Sequence, residues 1–178
     1  MPRDKVNTGM LDRLSAWRRP LNAAGFLICA LLLAGAYYMQ YVQELEPCPL
    51  CIFQRVALFA VGLVFLAAAL HHPRRLGASV YAVLLLVTAG IGAAIAGRHL
   101  WLQSLPPDQV PACGPGLNYM LDTFPLFEVL ERVLRGSGEC AEVDLVFGLS
   151  IPLWTLIAFI GLGVAGALVN LAAQRRSV

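Results

Sequence analysis

The sequence predicts an all-α membrane protein built as a bundle of four transmembrane helices, and three observations carry that expectation. Apolar residues fill 58% of the 178 positions and the mean hydropathy is +0.70, too high for a soluble domain of this size. Charged residues make up only 13%, about half the usual share of roughly 25%. The apolar residues also fall into four runs, 21–42, 52–70, 77–97 and 151–173. Each supplies the roughly 17–25 residues that a membrane-crossing helix needs. Residues 1–178 therefore read as a single integral membrane domain in a lipid bilayer, with no nucleic-acid partner expected.

Taken in order, residues 1–20 form a basic tail, and the first run follows it directly. Ala34-Gly35-Ala36 matches a small-x-small cleavage pattern, but cleavage there would remove more than the usual 15–30 residues of a signal peptide. The run is read as a retained span whose Tyr37, Tyr38 and Tyr41 form an aromatic belt at the outer interface. A short loop, about 43–51, leads to Pro47-Cys48-Pro49-Leu50-Cys51, and the second span begins at Ile52. Pro49 has a fixed φ and no N–H, which suits a helix start. The second span closes at His71-His72-Pro73-Arg74-Arg75. The third is rich in small residues, Ala89 to Gly97, that allow helix backbones to approach closely.

A long outer segment, about 98–150, separates the third span from the fourth. Its first half is rich in proline and glycine and places Cys113 on an exposed, turn-rich stretch. After Pro125, Leu126, Phe127, Val129, Leu130, Val133 and Leu134 share one face, with Glu128, Glu131, Arg132 and Arg135 on the other. That spacing predicts a short amphipathic helix lying on the membrane surface. A soluble cap packed on the helix ends is the alternative.

Orientation follows from the basic residues near the span ends. Arg3, Lys5, Arg13, Arg18, Arg19, Arg74, Arg75, Arg175 and Arg176 fall on one side, which places both termini in the cytoplasm. The other side holds Arg55, Arg98, Arg132 and Arg135 against nine acids: Glu44, Glu46, Asp108, Asp122, Glu128, Glu131, Glu139, Glu142 and Asp144. Four of the five cysteines, Cys48, Cys51, Cys113 and Cys140, then face an oxidising compartment, the periplasm of a Gram-negative cell, where disulfides persist. Four cysteines allow three pairings. The two-residue gap favours Cys48–Cys51, which leaves Cys113–Cys140 as the second bond. Cys29, within the first span, reads as a small packing residue.

Cys51 would sit in the first turn of the second span, where unpaired N–H groups and the positive end of the dipole favour a thiolate. Arg55 is one helical turn further on, and a cation at that depth is costly enough to imply a role in chemistry. A snorkelling arginine is the plainer reading. A zinc site would pair two such motifs or add a close histidine, whereas Cys113 and Cys140 are distant in sequence and the outer side has only His99. Ile52 occupies the position where covalent haem attachment requires histidine. Neither a metal nor a haem is therefore expected. His99 reads either as an interfacial polar residue or as a contributor to cofactor binding. Two dithiol pairs suggest a relay by thiolate attack, in which electrons leave to a quinone dissolved in the bilayer.

The run Pro-Cys-Pro-Leu-Cys-Ile-Phe-Gln-Arg (47–55), the later Gly136-Ser137-Gly138-Glu139-Cys140-Ala141-Glu142 and the four-span layout resemble DsbB, the bacterial family of disulfide bond formation proteins. The resemblance covers nearly all of the chain from the first span onward. It implies a quinone-dependent protein dithiol oxidoreductase of the bacterial inner membrane that reoxidises a periplasmic thiol oxidase of the DsbA type. On that reading the partner attacks the Cys113–Cys140 bond and forms a mixed disulfide with Cys113. Cys140 then attacks Cys48, and Cys51 donates to the quinone with Arg55 stabilising negative charge. The quinone is expected to be ubiquinone ahead of menaquinone, with Cys51, Arg55 and His99 as its contacts. Two competing readings are a quinone reductase of the vitamin K epoxide reductase type and a non-enzymatic scaffold with structural disulfides.

Overall fold

The computed structural model describes residues 17–71, 75–106, 108–112, 114 and 117–172. Four helices among them are long and apolar enough to cross a membrane. These are α1 (Arg18–Val42), α2 (Pro49–His71), α3 (Arg75–Gln103) and, last in the chain, α6 (Ile151–Ala172). Between α3 and α6 come two short helices, α4 (Leu117–Thr123) and α5 (Leu126–Arg135). A single 3₁₀ turn (Gly138–Ala141) and an antiparallel hairpin of β1 (Leu145–Val146) and β2 (Leu149–Ser150) follow. The expected tail before Trp17 and the basic residues Arg74, Arg175 and Arg176 lie outside the described residues, as does Cys113.

The helix ends shift in ways that matter for the site. Proline occupies the first position of α2, where its missing N–H costs nothing, so the helix starts at Pro49 rather than Ile52. The third helix runs on past Gly97 to Gln103, carrying Arg98 and His99 on regular helix rather than in a loop. The segment 117–123, within the long outer connection, is helical. The hairpin was also not anticipated. Phe147 and Gly148 both take positive φ (51° and 83°), the backbone a two-residue hairpin turn requires.

Within the bundle, α3 packs most extensively on α6, α1 on α2, and α2 on α3. The core is formed by Cys29, Leu58, Val61, Phe65, Leu85, Ala89, Ala96, Phe159 and Leu162. Cys29 is only 1% exposed among these side chains, which fits the packing role expected of it. The small residues do what their size permits. A Cβ on Gly92 would come within 2.3 Å of the Phe159 ring, so that glycine is what lets α3 and α6 close on each other. Outward-facing Leu31, Leu63, Val83, Ile91, Ile160 and Leu168 are exposed, as expected of surfaces that lipid would cover. Near one end of the bundle, Asn22 of α1 and Asn170 of α6 are fully buried and exchange amide hydrogen bonds at 3.0 and 3.4 Å. Each also donates to the carbonyl four residues earlier in its own helix, so neither amide is left unsatisfied.

Candidate thiol centre

At the opposite end of the bundle, a second cluster gathers Cys48, Leu50, Ile95, Leu102, Met120, Val129, Val133 and Cys140, with Cys51 packed against it. Cys48 stands immediately before α2, and its sulfur accepts the backbone N–H of Cys51 at 3.4 Å. The sulfur thus takes the place of the side-chain oxygen that usually caps a helix start. The sequence reading assigned the benefit of the helix N-terminus to Cys51; the structure gives the N–H to Cys48. The two sulfurs are 3.3 Å apart.

His99 projects from α3 onto this pair and is only 3% exposed. Its Nε2 is 3.8 Å from Cys48 Sγ and its Nδ1 is 3.9 Å from Cys51 Sγ. Gln54, one turn into α2 and almost fully buried, holds the ring with an amide nitrogen 3.1 Å from Nδ1. The Gln54 carbonyl in turn accepts the Thr155 hydroxyl of α6 at 2.6 Å. Neither Gln54 nor Thr155 was legible as part of a site, because glutamine beside a cysteine motif carries no chemical signature of its own.

The long α3 also fixes where Cys140 lies. Arg98 donates to the carbonyls of Leu134 and Arg135 at 3.0 and 2.9 Å, capping the last turn of α5 with a cation. Gln103 donates to the Glu142 carbonyl at 2.9 Å. Gly136 turns the chain between them with φ +88°, and its α-carbon lies against Leu102. The 3₁₀ turn is thereby pressed onto the start of α2. There the Cys140 thiol is fully buried in the same cluster as Cys48, with the Ser137 hydroxyl 3.7 Å from its sulfur. The neighbouring Cys48 sulfur, then burial, pushes the Cys140 thiol well above the usual cysteine range. On either side of Cys113 the described neighbours reach the same turn. The Ala112 carbonyl accepts the Gly138 N–H at 3.4 Å, and Gly114 borders a cavity with Ser137.

The amphipathic face of α5 divides. Val129 and Val133 are buried in the thiol cluster, whereas Leu126 and Phe127 are 76% and 81% exposed. The polar face carries Glu128–Arg132 and Glu131–Arg135 pairs one turn apart.

Arg55 reaches toward α1. It donates to the Gln40 side chain and to the Ala36 carbonyl at 3.1 Å, and its guanidinium lies 5.2 Å from the centre of the Tyr37 ring. There it heads an apolar groove of about 780 Å³ between α1 and α2, lined by Phe26, Leu33, Tyr41, Ile52, Phe59 and Leu63 among others. A second, more polar cavity of about 530 Å³ opens over Cys48, Cys51 and His99. The two share Gln40, Pro47 and Ile52 at their boundary.

Fold and cluster together define a class: a multi-pass, four-helix membrane protein with a cysteine–histidine centre at one end of its bundle. Comparison with known families narrows it. Residues 18–169 match the family described as "Disulfide bond formation protein DsbB", and the chain belongs to that family. Among its relatives, "Disulfide bond formation protein B" of Nitrosococcus oceani is 66% identical over 141 residues, which is 79% of this chain and 83% of the relative. The protein of the same name from Hahella chejuensis is 61% identical over 145 residues, 79% of this chain and 88% of the relative. That from Xanthomonas euvesicatoria pv. vesicatoria is 47% identical over 156 residues, 86% and 91% of the two chains.

Proposed function

We propose that this chain reoxidises a periplasmic thiol oxidase of the DsbA type and passes the electrons to a membrane quinone, sustaining disulfide bond formation. The observation that carries the reading is the placement of Cys48, 3.3 Å from Cys51 and packed in one buried cluster with Cys140. A sulfur so placed can take part in exchange with either.

The orientation proposed is the one the basic residues favour, with both termini cytoplasmic and the thiol centre on the periplasmic side. α5 lies on the membrane surface there, its exposed Leu126 and Phe127 toward lipid and its valines toward the protein. The resting form carries Cys48–Cys51 and Cys113–Cys140 disulfides. The contacts of Ala112 and Gly114 near the Cys140 turn support the second pairing.

The partner's thiolate attacks Cys113 and breaks the Cys113–Cys140 bond, so Cys140 leaves as thiolate. Cys140 then attacks Cys48, breaking the Cys48–Cys51 bond and freeing Cys51 as the new thiolate. The second partner thiol resolves the mixed disulfide by attacking the partner's own sulfur, and Cys113 is released. Cys113 next attacks Cys140, which restores that bond and leaves Cys48 and Cys51 reduced. Two electrons and two protons have then passed from the partner to the membrane dithiol.

The apolar groove headed by Arg55 suits a lipid-soluble molecule with a polar ring, and its boundary with the Cys51 cavity lets one ligand reach both. Bound there, a quinone supplies a two-electron, two-proton acceptor for the dithiol. Arg55 holds positive charge at the groove head, and Gln40, Ala36 and Tyr37 keep the guanidinium oriented. His99, in reach of both sulfurs, can hold or give a proton to whichever carries charge.

The test is to mix purified protein with a reduced DsbA-type partner and excess quinone and to follow quinone absorbance. Wild type should turn over, and Cys51→Ala should not. Equal rates for the two would reject the assignment.

A further inference from the structure

We propose that the reduced thiol centre is also a binding site for a borderline-soft divalent metal ion, zinc being the type, and that the bound ion locks the dithiol against reaction. Distance in sequence argued against zinc here, but the fold cancels that distance by setting His99 against Cys48 and Cys51. One ligand atom from each of these three residues lies within 4.8 Å of the others. In a tetrahedral zinc site the bonds to sulfur and nitrogen are about 2.3 and 2.0–2.1 Å, so neighbouring ligand atoms sit roughly 3.4–3.8 Å apart. The sulfurs here are 3.3 Å apart, and the shorter sulfur–nitrogen separation is 3.8 Å. Small torsional adjustments bring the three ligands onto one ion.

Three further features fit a metal. Cys48 and Cys51 belong to the start of one helix and His99 to another, so the ligands are held on rigid elements. Gln54 lies 3.1 Å from Nδ1 of His99 with its amide nitrogen; turning that amide over sets its carbonyl to accept Nδ1–H and its NH2 to donate to Thr155 Oγ, whose hydroxyl keeps its bond to the Pro152 carbonyl, and this gives the outer-shell support a metal-bound histidine needs. That leaves Nε2 as the ligand atom. The approach is the polar cavity above the sulfurs, whose walls include Glu46, Glu139, Glu142 and Asp144, charges that draw cations inward.

Binding forms two sulfur–metal bonds and one nitrogen–metal bond and releases the two thiol protons, with no change of oxidation state. Once Cys48 and Cys51 are joined in a disulfide, both thiolate ligands are gone and the site disappears. The metal therefore selects the reduced protein. Its consequence for turnover rests on the redox function proposed above; the binding itself does not.

The experiment uses full-length, tag-free protein in detergent, titrated with Co²⁺ as the spectroscopic probe and then with Zn²⁺ in competition with a chelating dye. Reduced wild type should bind about one ion per chain with a thiolate-to-cobalt charge-transfer band, and Zn²⁺ should displace it. Protein oxidised with diamide, which needs neither quinone nor partner, should show no such band. His99→Gln should weaken Zn²⁺ by more than the roughly 10–100-fold expected for loss of an outer-shell partner, and Gln54→Leu by about that range. Zn²⁺ should also protect Cys48 and Cys51 from maleimide. Equal binding by the reduced and oxidised wild type, absence of the thiolate band, or unprotected cysteines at saturating Zn²⁺ would each overturn the proposal. Because these arms use no quinone, their failure would leave the oxidase reading standing, and failed quinone turnover would leave the metal site standing.

Discussion

Nε2 of His99 lies 3.8 Å from the sulfur of Cys48, although 51 positions separate the two residues in the chain. The contact exists because α3 continues beyond the core far enough to reach the start of α2. The proposed function gives a histidine so placed a direct part in the chemistry of the cysteine pair. Replacing it with alanine should slow quinone reduction by about 10²-fold, the lower end of what a positioned acid–base group contributes. Helicity by circular dichroism should stay at the wild-type level. A fall of less than about threefold would show that the ring only fills space.

Arg55 should act on the quinone and hardly at all on the fold. Arg55→His shortens the reach to Gln40 and Ala36 and loses a fixed positive charge. The expected result is a rise of about tenfold in apparent KM for quinone, equivalent to about 1.4 kcal/mol. Gln40→Ala should move it in the same direction by less. An unchanged KM in the Arg55 variant would remove the guanidinium from the mechanism.

Cys140 gives a pH prediction. Its thiol is held above the ordinary range by the neighbouring Cys48 sulfur and by burial. A raised pKa means less thiolate at neutral pH, so reactivity must climb as pH rises. Alkylation of Cys140 in the reduced protein should increase with pH without levelling off near the ordinary thiol value of about 8.5. In Cys48→Ala the principal cause of the shift is gone, and Cys140 should react faster at neutral pH. The same slow rate in that variant would mean that burial alone controls the thiol.

Gly92 and Phe159 offer a packing test remote from the chemistry. A Cβ at position 92 meets the ring at 2.3 Å, so Gly92→Ala should destabilise the bundle by about 1–3 kcal/mol. Combining it with Phe159→Leu should recover part of that loss. Thermal denaturation in detergent would measure both, and simple additivity of the two single effects would exclude the direct clash.

For the Asn22–Asn170 pair, replacing one partner with leucine leaves a buried amide without its opposite number. The expected cost is about 0.6–1.7 kcal/mol, the range seen for hydrogen bonds between membrane helices. Replacing both should be milder than the sum of the singles, and a double mutant that loses the full sum would show that the two amides act independently.

How much of this could be read in advance differs by element. The four long helices were legible because a membrane demands sustained apolarity, and that demand is written residue by residue. Their ends were less so. Continuation of α3 through Arg98 and His99 depends on partners elsewhere, since Arg98 is satisfied by the carbonyls of α5 and His99 by Gln54. Segment 117–123 and the hairpin at 145–150 were missed because their apolar signals are short. The expected single apolar face of α5 also proved to be two surfaces, as only Val129 and Val133 meet the protein core.

Sequence alone determined the number of membrane-length helices, the composition suited to a bilayer, the cysteine pair at the mouth of the second span and the family resemblance. These properties are local, fixed by residue type and spacing along one stretch. Only the tertiary structure decided that Cys140 is buried in one cluster with Cys48, that His99 faces the cysteine pair, and that Arg55 turns to the groove beside α1. Such relationships depend on which helix faces meet, and small residues at the crossings, Gly92 against Phe159 among them, set that geometry. Linear spacing does not record it.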